Sequence, residues 1–384
     1  MPRIYLDHAA TTPLDPVVLE AMLPLLQDNH GNPSSVHAEG RRARFIVEEC
    51  RERVAAVLGA EPAEIIFTSG GTEANNAVLE GIWPEGRPGV ITSLAEHEAV
   101  LHPARRQAAR GRPVRYLRPQ KGGGITPEQV AEALDASVGL VSLMHVNNET
   151  GAITDIRAIA RICRDRGVVC HTDAVQSVGH LPVRVDTLGV DALSLSAHKF
   201  YGPKGVGLLY VRSGTPFTPL IEGGAQERGR RAGTENVAGI VGLATALERA
   251  QADQERELDR LERLRRRLHD GLRERLSDLF VCATPMQPGA AAPHVLNIAF
   301  PPRDGQPFDG EMLILGLDLE GIAVSSGSAC TSGALAPSHV LKAIGLDDAT
   351  ASAAIRFSLG RSTTDEDIER AIEAVERVVS RMIA

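Results

Sequence analysis

The sequence has few cysteines, and no two of them have the spacing of a metal site. Its 384 residues include 5 cysteines, at positions 50, 163, 170, 282 and 330. An odd number of cysteines in a long chain argues against a disulfide framework. Because no pair has C-x-x-C spacing, a zinc or iron–sulfur site built by this chain alone is not expected. The sequence therefore predicts no resident metal.

Long apolar segments are absent as well. No apolar run approaches the ~18 residues that a membrane-spanning helix needs. The opening residues, 1–7, lack the sustained apolar region of a signal peptide. A formal net charge of -8 argues against a surface that binds nucleic acid. We therefore expect a cytoplasmic protein that binds neither a membrane nor a nucleic acid.

Short β-rich runs alternate with helical patterns through the first two thirds of the chain. The runs lie at 64–68, 89–92, 138–144, 168–170, 192–195 and 207–211. Buried apolar strands that are joined through helices are typical of a largely parallel sheet with helices on both faces. We expect an α/β large domain over residues 15–255.

A different pattern follows in the last third. Residues 236–276 form a long polar stretch with helical spacing, and its arginine-rich run 260–267 has two interpretations, an RNA-binding patch or a solvated amphipathic helix. Interleaved acidic residues and leucines at 258, 261, 264 and 268 favour the amphipathic helix. Later strands at 295–300 and 354–358 and a terminal helix from Asp365 predict a smaller α+β domain, which we assign to residues 1–14 and 256–384.

Asp173 and Lys199 indicate the chemistry. Asp173 closely follows the apolar run 168–170, and Lys199 closely follows the run 192–195. A carboxylate at the end of one buried strand and a lysine just past another are the two protein groups that pyridoxal phosphate most needs. The lysine forms a Schiff base, and the carboxylate keeps the pyridine nitrogen protonated so that the ring withdraws electrons. The pair therefore predicts a pyridoxal phosphate site.

The segment 68–76, TSGGTEANN, is a candidate phosphate loop because it follows a predicted strand and opens a helix. Its small residues let the backbone approach an anion, which the helix start then binds. A Gly-rich turn without a ligand is the alternative. Ser196 and His198, beside Lys199, can supply further phosphate donors. The sequence contains neither G-x-G-x-x-G nor G-K-[ST], so dinucleotide and Walker-type sites are not predicted.

His97 and the pair Asn147-Asn148 also follow predicted strands. His97 comes after the strand at 89–92 and therefore falls at the carboxyl edge of the sheet, where open α/β folds bind ligands. A surface histidine without a role is the alternative. The two adjacent amides either bind a carboxylate or close a turn.

Seven segments together resemble the NifS/IscS group of cysteine desulfurases, and the resemblance spans essentially the whole chain. The segments are 5–12 (YLDHAATT), 31–35 (GNPSS), 68–76 (TSGGTEANN), 147–149 (NNE), 173–176 (DAVQ), 196–199 (SAHK) and 325–330 (SSGSAC). Several motifs in register make the resemblance specific. It implies pyridoxal-phosphate fold type I, with a mostly parallel, seven-stranded sheet in the large domain.

The resemblance also implies the cofactor contacts. Lys199 is expected to be the Schiff-base lysine and Asp173 the partner of the pyridine nitrogen. Gln176 is expected to reach the phenolic oxygen, and His97 to stack on the ring and move protons. The remaining expected cofactor contacts are Gly71, Thr72, Ser196 and His198, which hold the phosphate, and Asn148.

Two further contacts follow from the same resemblance. Thr234 is expected to reach the phosphate of the neighbouring subunit, which implies a homodimer. Ala232 stands where the family often has serine, a departure that should matter little because Thr234 carries the contact. Asn148 and Arg356 are expected to hold the substrate carboxylate, the arginine through a bidentate pair.

Cys330 decides the implied reaction. As a thiolate it is expected to attack the sulfur of L-cysteine, which leaves L-alanine and a persulfide on Cys330. The sulfur then passes to an acceptor protein, either an iron–sulfur scaffold or a carrier for thio-cofactor or tRNA synthesis. Cys330 is also a candidate ligand of a transferred iron–sulfur cluster.

Two alternatives remain open. An aminotransferase or a selenocysteine lyase of the same fold also needs Lys199 and Asp173, but an aminotransferase has no use for a mobile nucleophilic cysteine. A non-catalytic sulfur-relay scaffold that kept the fold would carry no bound chromophore. The chain ends soon after its last predicted helix begins, whereas family members that supply an iron–sulfur scaffold often carry a longer tail, so the sequence leaves the sulfur acceptor open.

Overall fold

The computed structural model of this chain describes residues 3–326 and 336–383. Within these ranges the strands are β1 (Ile4–Tyr5), β2 (Ile65–Thr68), β3 (Gly89–Ser93), β4 (Val114–Leu117), β5 (Val138–Met144), β6 (Val169–Asp173), β7 (Ala192–Ser196), β8 (Gly207–Val211), β9 (Val281–Cys282), β10 (Val295–Ala299), β11 (Ile322–Ala323) and β12 (Ala354–Ser358). The α-helices are α1 (Pro16–Gln27), α2 (Ala38–Leu58), α3 (Gly71–Gly81), α4 (Glu98–Ala109), α5 (Pro127–Ala133), α6 (Ile156–Asp165), α7 (Val185–Leu188), α8 (Val237–Leu276), α9 (Gly310–Leu319), α10 (His339–Ala343), α11 (Asp348–Ser352) and α12 (Asp365–Ile383). None of these helices combines the length and the apolar character that crossing a membrane requires.

A seven-stranded sheet forms the centre of the molecule, in the order β2-β8-β7-β6-β5-β3-β4. Strand β8 is antiparallel to both of its neighbours, and the other pairings in this sheet are parallel. The prediction of a mostly parallel sheet is therefore confirmed. The sequence pattern does not predict the edge strand β4, because its four half-buried residues include Arg115 and form no continuous apolar run.

Helices cover both faces of this sheet, as predicted. Ile65 and Phe67 of β2 belong to a core that includes residues of α1, α2, α6 and the first part of α8. Ile66, which lies between them, belongs to a different core with α3 and α4. Because successive side chains of a strand point to opposite faces, the two cores lie on opposite sides of the sheet.

The second half of α8 belongs to a further core. Leu261, Leu264 and Leu268 are buried there against residues of β10, β12, α9 and α12. On the polar side of α8, Arg263 and Arg267 form ion pairs with Asp365 of α12, at 2.6 and 2.7 Å. Strand β10 is the centre of the antiparallel sheet β12-β10-β9. The helix is amphipathic as the leucine spacing indicates, while the domain boundary after residue 255 stays a prediction.

Candidate active site

A cavity of about 400 Å³ opens at the carboxyl ends of three parallel strands. The last residues of β5, β6 and β7 line it, namely Met144, Asp173 and Ser196. This is the edge at which α/β sheets bind ligands. Ten of the residues predicted for the site line this one cavity: Gly71, Thr72, His97, Asn148, Asp173, Gln176, Ser196, His198, Lys199 and Arg356.

Lys199 ends a single 3₁₀ turn, Ala197–Lys199, that directly follows β7. Its amine donates hydrogen bonds to the backbone carbonyls of Ala9 and Ala10, at 2.6 and 2.9 Å. Burial, and secondarily the charge of Arg356, lowers the pKa of Lys199 to about 8. A larger fraction of this amine is therefore neutral, and nucleophilic, near physiological pH than for an ordinary lysine.

The segment after β1 lines the cavity with Ala9 and Ala10 and holds the turn that carries Lys199. Both the backbone N–H and the hydroxyl of Thr12 donate to the carbonyl of His198, at 3.0 and 2.9 Å. The hydroxyl of Thr11 lies 3.1 Å from Nδ1 of His198. The Gln176 amide donates to the Ala9 carbonyl at 2.8 Å. Sequence reasoning includes this segment in the resemblance but assigns it no role, because backbone carbonyls leave no signal in residue types.

Asp173 is held by two hydrogen bonds. Its Oδ1 accepts from the backbone N–H of Val175 at 2.9 Å, and its Oδ2 accepts from the side-chain amide of Asn75 at 2.6 Å. Asn75 also lines the cavity. Sequence reasoning does not assign Asn75, although it lies four residues after Gly71 and thus on the same face of α3. That spacing is the signal that could have identified it.

His97 is the N-cap residue of α4. Its Nδ1 accepts from the backbone N–H of Ala99 at 3.0 Å. In the neutral ring the proton therefore lies on Nε2. Burial lowers the pKa of His97, an effect that the charge of Asp173 opposes and that of Lys199 increases. The ring consequently offers the cavity a neutral Nε2–H donor.

The start of α3 forms an anion-binding corner of the cavity. Gly70, the N-cap residue, provides no side-chain cap, so the N–H groups of the first turn are left for a ligand. A Cβ atom on Gly71 would lie 2.6 Å from Cγ2 of Val175, so only glycine fits this close approach. Thr72 and Ser196 line the same corner. His198 lines the same cavity, and burial lowers the pKa of its ring to about 4.

The side-chain amides of Asn147 and Asn148 have different surroundings, and each matches one of the two interpretations that the sequence leaves open. Asn147 closes a turn, since its Oδ1 accepts from the backbone N–H groups of Glu149 and Thr150, at 3.0 and 2.9 Å. Asn148 instead lines the cavity, and its buried Oδ1 has no hydrogen-bond partner among the described residues. A bound ligand can satisfy this atom.

Arg356 lies beside Asn148 in the lining of the cavity. One guanidinium nitrogen donates to the Asn148 carbonyl at 2.9 Å, and another pairs with Asp7 at 3.0 Å. The third nitrogen, Nε, is buried and has no partner among the described residues. The guanidinium group is thus oriented by the protein and keeps a donor for a ligand.

Two predicted site residues are not placed in the cavity. Thr234 is exposed and does not line it. Cys330 belongs to the segment 327–335, which lies outside the described residues. Ser325, two residues before that segment, lines the cavity and pairs through its backbone with Arg356.

Comparison with known proteins identifies the family. The chain matches the family model described as aminotransferase class-V over residues 4–371. It is 46% identical over 384 residues to the cysteine desulfurase IscS of Dictyoglomus turgidum, and the aligned region covers 99% of this chain and 95% of that protein. It is also 44% identical over 387 residues to a cysteine desulfurase of a Nostoc species, and the aligned region covers 100% of this chain and 94% of that protein.

A solved structure agrees with this assignment. A protein described as NifS-like superposes with a TM-score of 0.90 at 37% identity, over 99% of this chain and 100% of that one. The fold, the edge at which the cavity lies and the full-length matches are consistent with one another. The chain therefore belongs to the class V aminotransferase family and, within it, to the NifS/IscS-type cysteine desulfurases, which are pyridoxal-phosphate enzymes of fold type I.

Proposed function

We propose that this protein converts L-cysteine to L-alanine, takes the sulfur onto Cys330 as a persulfide and passes it to an acceptor protein. The observation that carries the proposal is the convergence of Lys199, Asp173 and Arg356 on one cavity. A half-buried amine of lowered pKa, a fixed carboxylate and a guanidinium group whose Nε has no partner among the described residues suit an amino acid bound beside pyridoxal phosphate. Two relatives of this chain are named for the same activity.

The residues of the cavity fit the cofactor. The uncapped start of α3 with Thr72 and Ser196 suits the phosphate. Asp173 suits the pyridine nitrogen, and Gln176 has a buried Oε1 without a partner among the described residues. When bound at Lys199, pyridoxal phosphate supplies an electron sink that stabilises negative charge at the substrate Cα.

The protein groups then divide the remaining work. Arg356 and Asn148 orient the substrate through its carboxylate. Lys199, once free, removes the proton from the substrate Cα, because its amine is neutral at a lower pH than that of an ordinary lysine. His97 offers Nε2–H for proton exchange over the ring.

Sulfur transfer is assigned to Cys330. Its thiolate forms an S–S bond to the substrate sulfur while the substrate C–S bond breaks, and the electron pair of that bond stays with carbon, which takes up protons to give alanine. The products are therefore one alanine and one enzyme persulfide, and no external oxidant or reductant is needed.

The other four cysteines are poorly suited to this step. Cys50, Cys163 and Cys170 are buried, and Cys282 is half-buried. Burial raises the pKa of the Cys50 thiol to about 11 and also raises the pKa of Cys282. A hydrogen bond with Cys163, together with burial, raises the pKa of Cys170 well above its ordinary value. The thiols of Cys50, Cys170 and Cys282 therefore form little thiolate near neutral pH.

A homodimer is part of the proposal. Val36 and Phe45 are large apolar side chains with exposed fractions of 84% and 69%. Residues on either side of Val36 border a surface pocket together with residues of the segment 225–235, which carries Thr234. Exposed apolar side chains, and a pocket that brings residues near them in the chain together with the segment of the exposed Thr234, support an interface through which that threonine reaches the neighbouring cavity. We further propose a cytoplasmic location and the domain division 15–255 against 1–14 and 256–384.

The test of the activity is a product assay. The purified protein, incubated with L-cysteine and a thiol reductant, should release alanine and sulfide in equal amounts. Exchange of the amino group with a keto acid would instead support an aminotransferase. Release of selenide from selenocysteine, without sulfide from cysteine, would support a selenocysteine lyase. A colourless protein without either product would support a sulfur-relay scaffold.

Replacing the carboxylate of Asp173 should weaken the electron sink. Asp173→Asn keeps the shape of the side chain but removes the charge that pairs with the ring nitrogen, so kcat should fall roughly 10²-fold or more. Steady-state alanine formation and the absorption spectrum of the bound cofactor measure the effect. Asp165→Asn, an exposed carboxylate at the end of α6, is the control and should keep the parental kcat. A parental kcat in Asp173→Asn would mean that this carboxylate serves another purpose.

The lowered pKa of Lys199 predicts a pH dependence of cofactor capture. The apo-protein should bind pyridoxal phosphate covalently only through the neutral amine, so the rate should rise with pH and reach half of its maximum near the pKa of about 8. Stopped-flow absorbance measures this rate. The pH is varied from roughly two units below the expected midpoint to roughly two units above it. A midpoint above 10, as for an exposed lysine, would contradict the burial argument.

A further inference from the structure

A row of three hydrogen-bonded polar side chains crosses the sheet below the cavity. The hydroxyl of Ser142 lies 2.9 Å from Nδ1 of His171, and the hydroxyl of Ser194 lies 3.0 Å from Nε2 of the same ring. All three residues are fully buried. They belong to the neighbouring strands β5, β6 and β7, with His171 in the middle. This row is termed the Ser–His–Ser ladder.

The ladder lies directly beneath the floor of the cavity. Each of its members precedes a cavity-lining residue of the same strand by two positions. The pairs are Ser142–Met144, His171–Asp173 and Ser194–Ser196. Side chains two positions apart in a strand share one face and are separated by roughly 6–7 Å along it. The ladder therefore joins the three strands one pleat repeat below the residues that face the ligand.

Its surroundings are apolar. On the same face, one further repeat below, lie Leu140, Val169 and Ala192, which belong to the core under α3 and α4. A polar row in this place is costly unless all of its hydrogen bonds are made, and an apolar row of similar volume would serve packing at lower cost. The presence of the polar Ser–His–Ser ladder within an apolar core thus indicates a function beyond packing.

The ladder satisfies its hydrogen bonds without a charge. Burial lowers the pKa of His171 to about 3, so the ring stays neutral over the working range of the enzyme. A neutral imidazole has one donor and one acceptor nitrogen, and a serine hydroxyl serves as either. The ladder therefore ties β6 to both neighbours and adds no positive charge next to Asp173.

We propose that the Ser–His–Ser ladder is a positioning device that sets the alignment of β5, β6 and β7 and thereby the place of Asp173 against the pyridine nitrogen. The proposal rests on the role given to Asp173 in the proposed function. Asn75 of α3 holds the carboxylate from the helix side at 2.6 Å, and the ladder holds the strand that carries it. Both restraints are needed because a misplacement of about 1 Å can cost roughly 10²-fold in rate.

The test compares His171→Phe with Thr172→Val. Phenylalanine fills the space of the imidazole but makes neither hydrogen bond. Thr172 is the matched control, because it is equally buried on the same strand, faces the other side, and donates a hydrogen bond to the Leu143 carbonyl at 2.9 Å. Three quantities are measured for each: the urea midpoint of unfolding, the Kd of the apo-protein for pyridoxal phosphate by fluorescence titration, and kcat and KM for cysteine.

Both variants should have a lower urea midpoint of unfolding than the parent, since each loses at least one buried hydrogen bond. His171→Phe should in addition raise the Kd for pyridoxal phosphate and lower kcat, each by about 10-fold, with little change in KM. Thr172→Val should keep both parameters within about twofold of the parent, because its hydrogen bond lies on the opposite face. Ser142→Ala and Ser194→Ala are milder variants that should show smaller effects in the same direction, and they replace His171→Phe if that variant does not fold.

Two results would overturn the proposal, and they differ in cause. If the ladder variants match Thr172→Val in cofactor affinity and kcat, the ladder is only part of the core, even when Asp173→Asn is defective. If Asp173→Asn itself keeps the parental affinity and kcat, the role of Asp173 is wrong and the ladder has nothing to position.

Discussion

Lys199→Ala is expected to lower alanine formation from L-cysteine by roughly 10³-fold or more, because one change removes two functions. The amine that attaches the cofactor is lost, and so is the base that takes the Cα proton. The variant should still fold, since Lys199 is half-buried and its described hydrogen bonds go to the backbone carbonyls of Ala9 and Ala10, of which that of Ala9 also accepts from Gln176. The absorption band of the lysine-linked cofactor should disappear.

Lys204→Ala is the matched control for this substitution. Lys204 is an exposed lysine five residues further along the chain, and it lines no part of the cavity. The control should keep both the absorption band and the parental rate. Loss of activity in Lys204→Ala, or parental activity in Lys199→Ala, would show that the nucleophilic amine has been assigned to the wrong lysine.

Cys330→Ala is expected to stop alanine formation while cofactor and substrate still bind. The ring and carboxylate contacts proposed above come from Lys199, Asp173 and Arg356, and none of them involves Cys330. Adding L-cysteine should therefore still change the spectrum of the bound cofactor, but the step that breaks the C–S bond lacks its nucleophile. We expect a loss of roughly 10³-fold in kcat, measured as alanine and sulfide.

A mass measurement identifies the sulfur acceptor within the chain. The parental protein, treated with labelled cysteine and no acceptor, should carry one additional sulfur on the peptide that contains Cys330. Cys282→Ala removes the half-buried cysteine and should keep full activity, because burial raises the pKa of that thiol. Sulfur on the peptide of Cys282 with none on that of Cys330 would contradict the mechanism. Full activity of Cys330→Ala would favour a lyase that needs no protein persulfide.

The architecture of the large sheet follows from patterns that the sequence carries locally. Apolar runs such as 138–144 and 207–211 are long enough to predict buried strands, and the structure has strands with the same bounds. The edge strand Val114–Leu117 escapes this reasoning because a half-buried edge needs no apolar run. Local patterning thus predicts the buried centre of a sheet better than its edge.

In the candidate site, too, some features can be predicted from the sequence and others cannot. Asp173 and Lys199 stand out in the sequence because one ends a strand and the other lies three residues after a strand, and the carboxyl ends of parallel strands meet at one edge. By contrast, the Asn75–Asp173 hydrogen bond, the pairing of Asp7 with Arg356 and the Ser–His–Ser ladder join residues that are not neighbours in the sequence. The spacing of Asn75 from Gly71 indicates only that both lie on one face of α3, and no residue type or spacing identifies the partner of any of these residues.

The sequence by itself determined the class of fold, the edge of the sheet that binds the ligand and the chemical groups that lie there. Hydrophobic periodicity and the alternation of strands with helices along the chain are both properties of the sequence. Only the tertiary structure decided which partner each group has. Lys199 is an example, since its amine is bound by the carbonyls of Ala9 and Ala10, about half the chain away. Every residue has a carbonyl, so its selection depends on distances of a few ångströms that packing sets and that residue types do not encode.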